Sequence, residues 1–273
     1  MTRVEDILGY SVAAVSPEAC VDALVERIAV SEGDAGEVDS AKPFWVACLN
    51  PHSVKMALSD LAAKESLMGA DILIPDGVGT VLASQILGGA IRKRITGSDI
   101  FREISRRLNE RGGTSCFFLG STGQTLAAIE SKFTNEFPGI RFAGAYEPPF
   151  KKDFSDEETG AMIEAINRAA PDVLWVGMTA PKQEKWIHRN KDKLNVQCIA
   201  AVGAVFDFYA DNIRRDKDSW FVNHGLEWLP RLLQEPRRLW RRTFVSAPIF
   251  FWHVIIQALT SPRHTYTSQG SKK

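Results

Sequence analysis

The feature that most constrains this chain is a set of short segments dominated by apolar residues without alternation, residues 44–49, 71–74, 114–119, 140–146, 172–177 and 196–202. Half-buried strands alternate apolar and polar residues, whereas strands covered on both faces do not, so these segments predict a parallel sheet with helices on each side. The stretches between them, 53–64, 78–87, 99–111, 124–136, 155–169 and 181–190, carry helical periodicity. Ser155 followed by Glu158 predicts a capping box, and Pro181 suits a first helical position. The fold class expected is α/β, a doubly wound, mainly parallel Rossmann-like sheet followed by a C-terminal helical appendage that docks on a membrane. Ligands of such sheets bind at the carboxyl ends of the strands.

A chain of 273 residues supports one main core. Arginine and tryptophan become dense after about residue 210, which divides the chain into an α/β domain, 1–212, and a basic, aromatic segment, 213–273. The 33 basic residues are balanced by 33 acidic ones, so no overall field recruits nucleic acid. Cys20, Cys48, Cys116 and Cys198 are far apart in sequence and are expected as reduced thiols. The start, MTRVEDILGY, lacks a secretory pattern, and a cytoplasmic body is expected. Residues 31–41 read as a polar surface loop.

Chemistry is therefore sought in the loops after the strands. Asn50-Pro51-His52-Ser53 follows the first, and a helix cap would look the same as a functional site there. Pro75-Asp76-Gly77-Val78-Gly79 follows the second, placing one carboxylate just beyond a strand where it could cap the next helix or act in catalysis. Gly120-Ser121-Thr122-Gly123 could receive a phosphate on backbone amides at a helix start, or be a plain tight turn. In the run from Gly177 through Pro181, Lys182 and Gln183, a cation opposes the helix dipole, which suits an anionic ligand or a solvated lysine. Gly203 to Asp207 repeats the pattern with a carboxylate. No zinc-ligand spacing, nucleophile-elbow serine or dinucleotide G-x-G-x-x-G fingerprint occurs, which disfavours a nicotinamide or flavin oxidoreductase. The five histidines are scattered and read as structural, and Asp216-Lys217-Asp218 reads as a surface charge cluster rather than a metal-binding D-x-D.

Arg231, Arg237, Arg238, Arg241 and Arg242 face a single acid, Glu235, with Trp240 among them. Residues 244–259 are largely apolar but too few to span a bilayer, which needs about 20, so they are expected to lie in the membrane interface or to pack on the body. An apolar surface of that kind could also favour self-association into a homo-oligomer.

These motifs together resemble the WecG/TagA/CpsF family of bacterial glycosyltransferases, glycosyltransferase family 26. The likeness runs from Val46 to Gln257 and rests on Asn50-Pro51, Ile74 to Gly79, Arg94 to Asp99, Gly177 to Trp186, Gly203 to Asp207, Gly225-Leu226-Glu227-Trp228 and the arginine-rich run to Arg242. It implies inverting, metal-independent transfer from a UDP-sugar to a polyprenyl diphosphate-linked saccharide, with no cofactor, at the cytoplasmic face of the bacterial inner membrane. Under it Asp76 is a general base and Arg94 a ligand of diphosphate or acceptor. Asn50 and Cys48 complete the catalytic group, Cys48 standing where the family usually has threonine. Gly77, Gly120, Ser121, Tyr146, Gly177, Pro181, Lys182, Gln183 and Asp207 line the donor. Arg214, Arg215, Arg231, Arg237, Arg238, Arg241 and Arg242 engage acceptor and membrane. The alternative is a membrane-bound nucleotide-sugar sensor that binds without turnover.

Overall fold

The computed structural model describes residues 3–29, 42–210, 241–260 and 267–268. The expected loop at 31–41, the D-x-D sequence, and Arg214, Arg215, Arg231, Arg237 and Arg238 lie outside the described residues.

The described strands form one nine-stranded sheet. In chain order they are β1 (Arg3–Ile7), β2 (Tyr10–Ala13), β3 (Phe44–Leu49), β4 (Ile72–Pro75), β5 (Thr114–Gly120), β6 (Ile140–Tyr146), β7 (Val173–Gly177), β8 (Cys198–Ala201) and β9 (Thr267–Ser268). Their spatial order is β6-β5-β7-β8-β3-β4-β2-β1-β9. From β6 to β2 every pairing is parallel, while β1 runs antiparallel to β2 and β9 to β1.

The helices are α1 (Pro17–Ala29), α2 (Pro51–Ser59), α3 (Leu61–Met68), α4 (Val78–Ile86), α5 (Gly97–Arg111), α6 (Gly123–Glu136), α7 (Asp156–Ala169), α8 (Lys182–Asn190), α9 (Val205–Tyr209) and α10 (Ala247–Thr260), the last entered through a π-helical turn, Arg241–Ser246. Successive strand residues point to opposite faces, and both faces are filled. Trp45, Ala47 and Leu49 of β3 and Leu174 and Val176 of β7 join one core with α2, α3, α4, α7, α8 and α10. Phe44 and Val46 of β3 and Val173 and Trp175 of β7 join the other with α1, α5, α6 and α9. This is the doubly wound arrangement that continuous apolar strands imply.

Three local readings change. The expected helix 53–64 is two helices, because Asp60 leaves helical geometry and its side chain accepts from the Ala63 amide at 3.1 Å, capping α3. Pro181 precedes α8 instead of opening it, after a cis Ala180–Pro181 bond. The β1–β2 hairpin was not anticipated; its strands are short, β1 carries Arg3, Glu5 and Asp6 and β2 carries Ser11, so neither yields an unbroken apolar run. Buried Glu5 on β1 accepts from the Ser84 hydroxyl at 2.6 Å and from the Ala90 amide, tying the hairpin to the end of α4. The Ser155–Glu158 capping box is present at the start of α7.

The C-terminal helix is part of the core and not a loose tail. Phe250 and Val254 of α10 are fully buried, and Gln257 accepts from the Leu8 amide at 2.8 Å while donating to Asp6 Oδ1 at 2.7 Å. His52 Nδ1 and Ser246 Oγ, 3.0 Å apart, link the π-helical turn to α2. Because Phe250 closes the core over α2 and α4, Phe250→Ala should lower the stability of the whole α/β body by about 3–5 kcal/mol in chemical denaturation, as a single shifted transition.

Candidate active site

The turn after β4 is fixed on every side. Asp76 N–H donates to Leu49 O at 2.9 Å, the Thr80 hydroxyl also reaches Leu49 O at 2.9 Å, and Ile95 N–H donates to Pro75 O at 2.9 Å. The N-cap of α4 is Gly77, at φ +83°, with no side chain capping the helix. A residue with a side chain would be strained there, and the glycine lets the chain turn while the Asp76 carboxylate is used for something other than capping.

The Asp76 carboxylate meets the cap of α2 instead. Asn50 Oδ1 accepts from His52 N at 3.1 Å and Ser53 N at 3.0 Å, the bland capping role, while its Nδ2 donates to Asp76 Oδ2 at 3.0 Å. One amide thus caps a helix and orients the carboxylate of the neighbouring strand. Cys48, partly buried on β3, points its sulfur at Ala201 O, 3.8 Å away on β8. Burial first, then the nearby charges of Asp76 and Glu184, push the Cys48 thiol well above its ordinary pKa, against a hydrogen bond from the Gly97 amide. The thiol is therefore a neutral group at neutral pH. Arg94 lies in the loop before Ile95, beside the same turn.

A second group gathers at the ends of β5, β7 and β8. Gly120 pairs with Gly177 across β5 and β7, and a Cβ at Gly120 would sit 2.4 Å from Gly177 O, so only glycine permits this approach. Ser121 Oγ lies 3.5 Å from Asp207 Oδ1. Gln183 Oε1 accepts from Met178 N at 3.2 Å, and its Nε2 donates to Glu184 Oε1 at 2.8 Å beside Gly203. The α5 start links the two groups: Gly97, whose amide reaches Cys48, also backs onto Val202 at the β8 end. Cys48, Asn50, Asp76, Gly77 and Arg94 form one cluster, and Gly120, Ser121, Gly177, Gln183 and Asp207 the other.

Tyr146 ends the edge strand β6, paired with Leu119, and so belongs to the outer margin. Pro181 marks the entrance to α8. Lys182 turns away from the Asp76 turn: its ammonium donates to Lys151 O at 2.6 Å and lies 3.9 Å from the centre of the Phe154 ring, and burial lowers its pKa. Of Arg241 and Arg242, the described part is backbone in the π-helical turn. Among the described residues no cluster of His, Cys, Asp and Glu is placed to hold a metal ion.

Two side chains that the sequence did not single out belong here. Thr80 joins β3 to α4. Glu184 is buried at the mouth of β7, with Oε1 bonded to Gln183 and Oε2 without a hydrogen-bond partner. Its position in the first helical turn looked like an ordinary dipole-compatible acid, so nothing in the pattern marked it.

The fold is a doubly wound α/β sheet, and both clusters lie at its carboxyl edge, where such sheets bind their ligands. Residues 5–264 match the Glycosyl transferase WecG/TagA/CpsF family, and the chain belongs to that family. It is 29% identical over 240 residues to an N-acetylglucosaminyldiphosphoundecaprenol N-acetyl-beta-D-mannosaminyltransferase of Bacillus spizizenii, covering 88% of this chain and 90% of that one. It is 26% identical over 215 residues to the protein of the same name from Staphylococcus aureus, covering 79% and 81%.

Burial raises the pKa of Glu184, so its contribution to stability is full below the unfolded pKa and is lost as pH rises through the folded one. Glu184→Gln keeps an acceptor for Gln183 and cannot ionise. Its melting temperature should exceed that of the wild type at about pH 8 and converge with it near about pH 4, checked by thermal denaturation across pH.

Proposed function

We propose that the protein transfers a sugar from a UDP-sugar to a saccharide carried on a polyprenyl diphosphate, with inversion at the anomeric carbon, at the cytoplasmic face of the bacterial inner membrane. The observation that carries this reading is the Asp76 carboxylate, held at the end of β4 by Asn50 Nδ2 at 3.0 Å while Gly77 takes the helix-capping position.

In this mechanism Asp76 accepts the proton of the acceptor hydroxyl as its oxygen attacks the anomeric carbon, and the bond to UDP breaks on the opposite face. One displacement inverts the centre. Charge collects on the departing diphosphate, and Arg94 directly precedes Ile95, whose amide donates to Pro75 O at 2.9 Å beside the Asp76 turn. Arg214, Arg215, Arg231, Arg237, Arg238, Arg241 and Arg242 would add to it, and exclusion of water would strengthen each interaction. The nucleotide is placed at the strand ends around Gly120, Gly177 and Gly203, where doubly wound sheets hold their ligands. Gln183, with its amide oxygen anchored on Met178 N, offers a fixed donor beside Gly203.

The names of the relatives supply the first substrates to test, an N-acetylmannosaminyl donor and N-acetylglucosaminyl-diphospho-undecaprenol. Membrane contact is assigned to the arginine-rich segment and to α10, which exposes Trp252, Ile255, Ile256 and Leu259. No described helix is long and apolar enough to cross a bilayer, in keeping with contact from one side.

Asp76→Asn should lower UDP release in the presence of donor and lipid acceptor by about 10²–10⁴-fold while leaving the affinity for UDP, read by calorimetry, within a few-fold of wild type. Wild-type turnover in that variant overturns the base assignment, and absence of turnover in the wild type with every donor supports a binding-only protein.

A further inference from the structure

Among the described residues two acids are buried, Glu5 and Glu184. Both carboxylate oxygens of Glu5 are used, one by the Ser84 hydroxyl and the other by the Ala90 amide. Glu184 differs: its Oε1 accepts from Gln183, while its Oε2 is shut away from water without a hydrogen-bond partner. An oxygen in that state costs free energy that an apolar side chain of the same size would not. Packing of α8 alone therefore gives no reason for an acid at this place in its first turn.

What Glu184 does hold is the amide of Gln183. Met178 N–H donates to Gln183 Oε1 at 3.2 Å, and Gln183 Nε2 donates to Glu184 Oε1 at 2.8 Å. Turned over, the amide would set its NH2 group against the Met178 N–H and its oxygen against the Glu184 oxygen, so the two contacts select one orientation. Glu184 keeps an accepting oxygen whether it is ionised or protonated, and the selection does not depend on its charge. An amide group is planar, so fixing its oxygen and one N–H also fixes the direction of the second N–H. No second acceptor for Nε2 occurs among the described residues. Gly203, at the end of β8, has no side chain to cover it: a Cβ there would come to 3.7 Å from Nε2, so a ligand atom lying over Gly203 is within reach of that N–H. Glu184 is also close enough to Cys48 for its charge to act on the thiol, which sets the pair between the Asp76 cluster and the Gly177 cluster.

We infer that Glu184 is a positioning residue of the donor site, which holds one N–H of Gln183 so that the other is aimed at the nucleotide-sugar bound over the Gly177 and Gly203 turns. This rests on the donor reading given above. Because its free oxygen is sealed off, Glu184 touches no ligand and acts through Gln183. The donor it sets is neutral and rigid, with the amide oriented before the ligand arrives.

The test uses the full chain and two readouts. In NMR, the side-chain amide signals of Gln183, assigned by their loss in Gln183→Leu, should show one slowly exchanging proton in the wild type and in Glu184→Gln, and none in Glu184→Met. In calorimetry, UDP affinity should fall about three- to tenfold in Glu184→Met, the worth of one hydrogen bond. It should stay near wild type in Glu184→Gln, which keeps an acceptor, and fall no further when Glu184→Met is added to Gln183→Leu. The melting temperature of Glu184→Met should equal or exceed that of the wild type, since methionine fills the space without an unpaired oxygen. If it drops instead, the double variant decides, because lost packing weakens binding in either background and lost positioning only where Gln183 is present. Wild-type UDP affinity in Glu184→Met, an unchanged exchange pattern, or an equal added loss on the Gln183→Leu background overturns the proposal. If the wild type binds no UDP while the exchange pattern changes as expected, the donor reading falls and the positioning of the amide stands.

Discussion

A parallel sheet whose inner strands are covered on both faces leaves this protein almost no freedom about where its chemistry can be. The buried apolar side chains along β3, β5, β7 and β8 are committed to one of two cores, from Trp45 and Leu174 on one face to Phe118 and Trp175 on the other. Polar groups within such strands would be buried without water, at a cost of a few kcal/mol each unless paired. The carboxyl edge is different. There the ladder ends, the next helix has yet to begin, and amides, carbonyls and short polar side chains can reach solvent or a ligand. The two clusters found, around Asp76 and around Gly177, are where the sheet permits them.

What makes the edge a defined site and not a set of loops is sharing of hydrogen-bond partners between neighbouring strand ends. Leu49 O receives both the Asp76 amide and the Thr80 hydroxyl, filling its two acceptor positions and joining β3, β4 and α4 at one atom. Asn50 divides its amide, with the oxygen on its own helix and the nitrogen on Asp76. A carboxylate held this way has lost most of its rotamer freedom before any substrate arrives, which is the kind of preorganisation that positioning a proton acceptor requires.

Much of this was legible in the residues, for identifiable reasons. Doubly buried strands leave unbroken apolar runs, and strand-end glycines stand out beside them, so β3 to β8 and the loops after them could be read directly. The hairpin β1–β2 could not, since its strands are short and charged residues, Arg3, Glu5 and Asp6, break up β1. Asp76 was balanced between capping and chemistry because the two demand the same position after a strand; the difference lies in Gly77 taking the cap and in Asn50, 26 residues away, turning its amide. Lys182 showed an unfavourable place in the helix dipole, which sequence reads as a call for an anion. Its compensation comes from Lys151 O and the Phe154 ring, on a loop that spacing cannot bring near.

The C-terminal helix shows the same limit from another side. Read as a string, residues 244–259 are apolar almost all round, which fits a helix lying in lipid as well as one packed on protein. The structure divides the helix between the two: Phe250 and Val254, four residues apart, are sealed into the core, and Trp252, Ile255 and Leu259 face out. A helix apolar on one face needs one partner, and a helix apolar on both needs two. The first is the layer of α2 and α4, to which Ser246 also fastens it, while Gln257 ties it to the β1–β2 hairpin. Because α10 is clamped to that layer, any surface its outer face meets is presented at a fixed angle to α4 and hence to the Asp76 turn. Rigid attachment, more than length or apolarity, lets an outer apolar face orient a site instead of merely tethering it.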